Sequence, residues 1–249
     1  PLDNNFDVAN QPAMLALWPA AAILARRGDL PKSGATDWAE LTRAQALEPG
    51  AQLPAPGREA LMAECGVDFQ GGAPAPSSPT VQGPWSVGDG GALRHDPSRG
   101  VLLIDTPGTQ AVAGFSRGLK EHPSGLKVNL KNAYAVVVVT ALDTDRLDSA
   151  GKVLVTAVDD AVNKGMSLEP AGDQLASKGG PQVLVQPVVG QVWVALPRTL
   201  GARVWALDPS GRRRGRAQFE RVKGGLLLDM RASDRALNYE IDLPNAGAF

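Results

Sequence analysis

The chain has 249 residues, of which 43% are hydrophobic, with 25 basic and 26 acidic side chains and a formal net charge of −1. This length suits one large or two small domains, and the apolar content is sufficient for a core. Because balanced charge creates no long-range field, nucleic acid and anionic membranes are poor candidates as partners. The single cysteine, Cys65, forms no internal disulfide, and no Cys/His spacing suggests a metal site.

The first thirty residues are predicted to contain a helix over 12–27. Pro12 suits a first helical turn, apolar residues recur at helical spacing after it, and Gly28 is a typical stop. Pro19 lies inside this segment, which predicts a kink or two shorter pieces. The helix is apolar on nearly all sides, so we expect it to be buried against a large partner. Since Pro1 is also not an initiator residue, the sequence predicts a processed or truncated piece of a larger protein.

Residues 31–84 are predicted to form a linker wrapped on the surface. Short helices are expected near Ser33 or Thr36 and from Pro56 to Glu64. The stretch from Gly71 to Pro84 is rich in proline, glycine and serine, a composition that favours extended, semi-rigid chain over packed structure.

From Trp85 to Phe249 the pattern is that of a β domain. Val- and Leu-rich segments separated by Gly, Pro, Asp and Asn turns predict strands at 101–104, 133–142, 152–158, 182–186, 191–196, 202–207, 217–222, 226–230 and 236–241. Such short strands imply a two-sheet sandwich or a barrel. We predict a mainly β fold, a two-sheet antiparallel sandwich of jelly-roll or Ig-like type with a short N-terminal helical segment. The nearly unbroken apolar run from Ala135 to Val139 predicts a central strand covered on both faces.

The adjacent acidic residues Asp159 and Asp160 are the candidates for catalytic or metal-binding carboxylates. Glycoside hydrolysis needs two carboxyl groups flanking one bond, but neighbouring residues at a strand end point to opposite faces. We therefore expect a solvated turn, with a weak structural calcium site formed by Asp159, Asp160 and Asn163 as the alternative. The histidines, His95 and His122, are expected in loops, so no catalytic residue is predicted and no other cofactor is expected.

The tryptophans are the candidate sugar contacts, because flat aromatic faces with polar neighbours suit pyranose rings. Trp85 lies in a glycine-rich loop with Ser86 and Asp89, whose oxygens are available to sugar hydroxyls. The alternative for Trp85 is a hydrophobic plug where the linker enters the sandwich. Trp193 and Trp205 lie among Val and Leu, which favours core packing, with carbohydrate contact as the second interpretation.

A basic cluster follows the turn signal Asp208–Gly211. It comprises Arg212, Arg213, Arg214 and Arg216. A solvated hairpin tip is the expected structure, and binding of phosphate or a polyanion is the alternative.

Several segments share a pattern with one enzyme class, namely 100–111, 114–115, 137–143, 152–157, 163–166, 181–188 and 204–211, together with 6–12 and 27–29. The pattern resembles the C-terminal region of large bacterial (β/α)8-barrel glycoside hydrolases of agarase-like or β-galactosidase-like kind. The resemblance implies that 85–243 is the sandwich and that 1–30 resembles the last helix of the barrel.

In that class the catalytic carboxylates lie on earlier barrel strands, which this chain does not contain. The resemblance therefore implies a non-catalytic accessory domain, structural or carbohydrate-binding, with the parent's catalytic barrel and a polysaccharide or oligosaccharide as partners. It also implies a secreted or periplasmic location. The alternative is an independent adhesion or protein-interaction module, and the intact mass of the natural gene product distinguishes the two, since a parent enzyme is much heavier than 26.0 kDa.

Overall fold

The computed structural model describes residues 12–30, 36–40, 64–68, 80–83, 85–87, 91–169 and 175–244. The predicted helix is present as α1 (Pro12–Arg27). The strands are β1 (Thr36–Glu40), β2 (Glu64–Asp68), β3 (Thr80–Gln82), β4 (Trp85–Val87), β5 (Leu93–Asp96), β6 (Val101–Asp105), β7 (Thr109–Gly114), β8 (Leu126–Leu130), β9 (Ala135–Ala141), β10 (Lys152–Val158), β11 (Ala161–Asn163), β12 (Ser167–Leu168), β13 (Leu175–Ser177), β14 (Val183–Val185), β15 (Gly190–Ala195), β16 (Arg203–Leu207), β17 (Arg213–Arg216), β18 (Gln218–Val222), β19 (Gly225–Met230) and β20 (Asn238–Asp242). A short 3₁₀ helix, Ala232–Asp234, precedes β20.

Two antiparallel sheets build the body of the protein. The large sheet has ten strands in the order β17-β16-β20-β10-β9-β7-β6-β5-β4-β3, and the small sheet has four in the order β18-β19-β15-β8. Two further antiparallel pairs, β11–β14 and β12–β13, and one parallel pair, β1–β2, complete the described strands. The predicted mainly β, antiparallel sandwich with an N-terminal helix is confirmed.

The main core combines the inner faces of both sheets. Alternate residues of strands such as β8 and β15 point inward, as the period of two in a strand requires. Leu103 and Val137 of the large sheet belong to the same buried cluster as Leu126, Val194 and Leu226 of the small sheet, and none of these five side chains is accessible to solvent. Burial of such side chains stabilises a sandwich by about 1.5–3 kcal/mol each.

Helix α1 packs on the outer face of the large sheet. The small residues Ala13 and Ala16 lie in a second buried cluster with Val158, and Val136 packs against that cluster. Strand β9 lies between β7 and β10, and its alternate residues Val137 and Val139 belong to the main core. The prediction of a central strand covered on both faces is confirmed, and the helix supplies the second cover.

The C-terminal end of α1 is fixed to the sheet by Arg27. Its Nη1 donates hydrogen bonds to the carbonyl oxygens of Ala141 and Thr144, both at 2.9 Å. Its Nη2 donates to Asp29 Oδ2 at 2.6 Å and to Thr109 Oγ1 at 2.8 Å. The side chains of Arg27 and Asp29 are only 16% and 8% exposed, so this ion pair is largely withdrawn from water.

Some local predictions were wrong. Helix α1 continues through Pro19 as one element, so it is not divided into two pieces, and the alternative of a kink at Pro19 stays a prediction. The helix expected near Thr36 is instead β1, which pairs in parallel with β2. Most of the helix expected from Pro56 to Glu64 lies outside the described residues, and Glu64 itself begins β2.

The proposed domain boundaries stay predictions. Strand β3 pairs with β4 and so joins the large sheet just before the expected boundary at Trp85. The side chains of β1 and β2, including that of Cys65, lie outside the described part of the chain.

Candidate binding face on the small sheet

The outer face of the small sheet presents an ordered row of side chains around Trp193. In β15, Val192 and Val194 are fully buried while the intervening Trp193 is half-buried and points away from the core. The antiparallel register places Lys127 of β8 opposite Trp193 on one side and Leu227 of β19 on the other. Residues directly opposite on one face of a sheet are in contact range, so these side chains form one row.

The Trp193 ring lies close to the sheet over the β18–β19 turn. A Cβ atom built on Gly225 would come within 3.1 Å of the indole Nε1, and one on Gly224 would lie 3.9 Å from Cζ2. Position 225 requires glycine, because the Cβ of any other residue there would also collide with the carbonyl oxygen of Val194. The ammonium Nζ of Lys127 lies 5.1 Å from the ring centroid, a cation–π distance. The ring is therefore held in a fixed orientation.

Polar side chains lie on the same sheet face as this ring. Glu220 of β18 lies opposite Leu227 and extends the tryptophan row. The neighbouring row on the same face contains Asn129, Gln191 and Asp229 in register. Asn129, Gln191 and Glu220 are exposed. The outer face of the small sheet therefore carries one aromatic ring and several hydrogen-bonding groups. The sequence did not reveal this grouping, because the residues come from four strands that are separated along the chain.

Trp85 occupies a different environment. It is only 6% exposed and belongs to the main core, with the guanidinium carbon of Arg94 5.5 Å from its ring centroid. Trp85 therefore lies where the alternative prediction, a hydrophobic plug, places it. Little of its ring surface is left for a sugar. Ser86 lies in β4 opposite His95, and its side chain is outside the description, as is all of Asp89.

Trp205 lies in an ionic cluster on the outer face of the large sheet. The guanidinium carbons of Arg216 and Arg213 are 3.9 and 5.0 Å from its ring centroid. Arg213 also donates hydrogen bonds to Glu240 at 3.0 Å and to Asp242 at 3.3 Å. With two guanidinium groups over its ring, Trp205 is a poorer sugar platform than Trp193.

The basic cluster follows a hairpin turn, as predicted. The Asp208 backbone N–H donates to the Arg212 carbonyl at 2.9 Å, and β16 pairs with β17. In the described order of the large sheet, β17 is one of the two edge strands, and charged side chains on an edge discourage pairing with another chain. The cluster therefore has a structural role beyond that of a solvated tip.

The Arg213–Glu240 pair predicts a loss of stability in acid. The hydrogen bond from Arg213 lowers the pKa of Glu240 below its ordinary value of 4.5. Since the folded state then binds protons less readily than the unfolded chain, the stabilisation is present above the ordinary pKa and is lost as the pH falls through the lowered one. Urea unfolding of the wild type and Glu240→Gln should show a constant difference in stability above about pH 6 that shrinks toward about pH 3. A difference that is the same at both pH values would contradict this assignment.

The three residues predicted as calcium ligands each have a protein partner. Asp159 Oδ2 accepts a hydrogen bond from the amide of Asn132 at 2.6 Å, and Asp160 Oδ1 accepts the backbone N–H of Ala161 at 2.7 Å. The Asn163 amide donates to the carbonyl of Lys178. Among the residues that the structure describes, no three His, Cys, Asp or Glu side chains gather into a metal-binding group. A calcium ion at this turn stays a prediction.

Comparisons with known protein families, curated proteins and solved structures return no match. In the described ranges, no helix combines the length and apolar character needed to cross a bilayer.

Proposed function

We propose that this chain is a non-catalytic β-sandwich accessory domain of a secreted or periplasmic glycoside hydrolase, and that it contacts carbohydrate through Trp193. The observation that supports the carbohydrate contact is the oriented Trp193 ring on the outer face of the small sheet, with Lys127 beside it and with Glu220 and Gln191 on the same face. The parent enzyme and its location rest on the sequence resemblance described above.

The surroundings of Trp193 suit a sugar better than those of Trp85 or Trp205. A pyranose ring presents an apolar C–H surface and a rim of hydroxyl groups, which needs an aromatic platform with hydrogen-bonding neighbours. Lys127 offers donors, Glu220 offers acceptors, and Gln191 offers both. The polar groups spread over four strands of this face give an extended chain several contacts, so an oligosaccharide or polysaccharide is the proposed ligand class.

A neighbouring catalytic barrel is proposed as the protein partner. Trp18 of α1 is 51% exposed on a helix that is otherwise fixed to the sandwich through Arg27. A large exposed aromatic on a rigid helix is a typical anchor for a protein contact. The same observation supports the alternative of a protein-interaction module, and the mass of the natural product distinguishes them.

Replacing Trp193 by alanine is expected to weaken polysaccharide binding by about 1–3 kcal/mol, which is the range for loss of an aromatic contact. Stability should change little, because the ring lies outside the core. Affinity electrophoresis against a panel of polysaccharides, followed by calorimetry with the best ligand, provides the measurement. Trp18→Ala is the matched control and should bind as the wild type does. Binding that survives Trp193→Ala, or no binding to any polysaccharide in the panel, would count against the proposal.

A further inference from the structure

Two exposed aromatic rings are in contact at the end of the large sheet where β7 ends and β9 begins. Phe115 follows β7 and is 56% exposed, and Tyr134 precedes β9 and is 41% exposed. Their ring centroids are 5.6 Å apart and their planes meet at 77°, an edge-to-face arrangement. The Phe115 ring also lies against Gly100, where an added Cβ would come within 3.2 Å of it. These two rings, the aromatic pair, form an apolar surface that is open to solvent.

Three cations follow one another beside the aromatic pair. Arg99 Nε donates a hydrogen bond to the Phe115 carbonyl at 3.2 Å, and its Nη2 donates to the Arg117 carbonyl at 2.7 Å. Arg117 Nη2 in turn donates to the carbonyl of Lys131. These bonds orient both guanidinium groups, yet each group has five N–H donors and so keeps several for a ligand. The three residues therefore present positive charge in succession along this surface.

The carboxylates beside these cations are bound within the protein. In the described ranges, none of the three cations lies within ion-pair distance of a carboxylate. Asp96 is in the same turn as Arg99, but it is only 7% exposed and accepts hydrogen bonds from the Ser98 hydroxyl at 2.6 Å and the Arg99 N–H at 3.1 Å. Asp159 accepts a hydrogen bond from the Asn132 amide at 2.6 Å. Three cations thus stand against two engaged carboxylates, which favours an anionic ligand.

We propose that this end of the large sheet binds an acidic polysaccharide, a chain of pyranose rings with carboxylate or sulfate groups at regular intervals. The apolar face of one sugar packs on the aromatic pair. The acidic groups of neighbouring sugars pair with the three cations through charge-assisted hydrogen bonds. A succession of cations suits a polymer whose charge repeats, and the exposed rings suit a ring-shaped repeat unit, whereas an acidic peptide would use the cations alone. This site shares no residue with the Trp193 face and does not depend on the proposed function.

The test compares two matched pairs of polymers by calorimetry on the full chain. Polygalacturonate is paired with its fully methyl-esterified form, and dextran sulfate is paired with dextran, so that each pair differs only in charge. The wild type should bind the acid of at least one pair about tenfold more tightly than its neutral partner, and the responding pair identifies the acidic group. A comparison with poly-glutamate, which has the charge but no sugar, should show weaker binding.

Substitutions of the aromatic pair separate a sugar site from general attraction of a polyanion. Phe115→Ala should weaken binding of the acid about fivefold to tenfold at unchanged net charge. Phe115→Leu keeps much of the apolar volume and should also lose affinity, because it has no aromatic face. Both variants should fold, since the ring is more than half exposed. Trp18→Ala, which removes another exposed ring, is the matched control and should bind as the wild type does.

Substitutions of the cations test the second half of the site. Arg117→Gln should reduce the preference for the acid about tenfold. Arg146→Gln removes an exposed cation from the loop that follows β9 and should leave the preference unchanged. Trp193→Ala should keep it too, which separates this site from the proposed sugar face. The proposal would be overturned by equal affinities within both pairs, by poly-glutamate binding as tightly as the acidic polysaccharide, by full affinity in both Phe115 variants, or by equal losses in Arg117→Gln and Arg146→Gln.

Discussion

Replacing Arg27 by alanine is expected to lower the free energy of unfolding by about 3–5 kcal/mol, the range for removing one partner of a buried ion pair. The substitution leaves the Asp29 carboxylate without its strongest partner in a site where that side chain is only 8% exposed. It also leaves the carbonyl oxygens of Ala141 and Thr144 without the hydrogen bonds that Arg27 supplies. Urea unfolding followed by intrinsic fluorescence measures the change.

Arg26→Ala is the matched control for this prediction. Arg26 is the preceding residue of the same helix end, but it is exposed, so its removal should change stability by less than about 0.5 kcal/mol. Arg27→Lys should be less destabilising than alanine, because it keeps a positive charge near Asp29, but it should not reach wild-type stability, because an ammonium does not reproduce the five donors of the planar guanidinium. If Arg27→Ala were as stable as Arg26→Ala, the helix would not be fixed to the sheet in the way described.

The strands richest in branched apolar residues were predicted well from sequence. The predicted strand 152–158 coincides with β10, and 101–104 lies within β6, since both are valine- and leucine-rich and end at turn residues. Strand β8 was not predicted. Its residues Leu126-Lys-Val-Asn-Leu130 alternate between apolar and polar, as in a strand buried on one face. The segment is short and contains two polar residues, so only its pairing with β15 identifies it as a strand.

Strand β17 shows a second limit of sequence analysis. Its sequence, Arg213–Arg216, has no residue with high strand propensity, so local preference predicts a solvated tip. The strand forms because the turn at Asp208 returns the chain alongside β16. Arg213 then pairs with Glu240 and Asp242 of β20, which lies on the far side of β16, a contact that depends on sheet order and not on local sequence.

The candidate sites depend even more strongly on long-range register. Trp193 was a candidate from its chemistry, but its polar neighbours Lys127 and Glu220 lie on strands distant in sequence, and no local signal joins them.

The position of α1 was likewise not predictable. Arg27 hydrogen-bonds residues 114 and 117 positions away, which no periodicity indicates. Trp85 and Trp193 were both predicted as sugar contacts because they are tryptophans with polar neighbours. Only the structure shows that Trp85 is buried whereas Trp193 is partly exposed.

Replacing Trp85 by alanine is expected to cost about 3–5 kcal/mol of stability, which is the range for emptying a core aromatic site. The ring is 6% exposed and belongs to the cluster between the two sheets, so truncation leaves a cavity there. It also removes the cation–π contact with Arg94. Thermal and urea unfolding, each compared with the wild type, measure the loss.

Two controls decide whether Trp85 acts as a plug or a platform. Trp18→Ala removes a tryptophan that is 51% exposed and should cost far less. Trp85→Phe should also cost less than alanine, because it keeps most of the apolar volume and removes an indole N–H that has no hydrogen-bond partner among the described residues. Below its unfolding transition, Trp85→Ala should still bind polysaccharide as the wild type does. A Trp85→Ala protein that is fully stable but no longer binds sugar would place the binding face at β4 and remove the argument for Trp193.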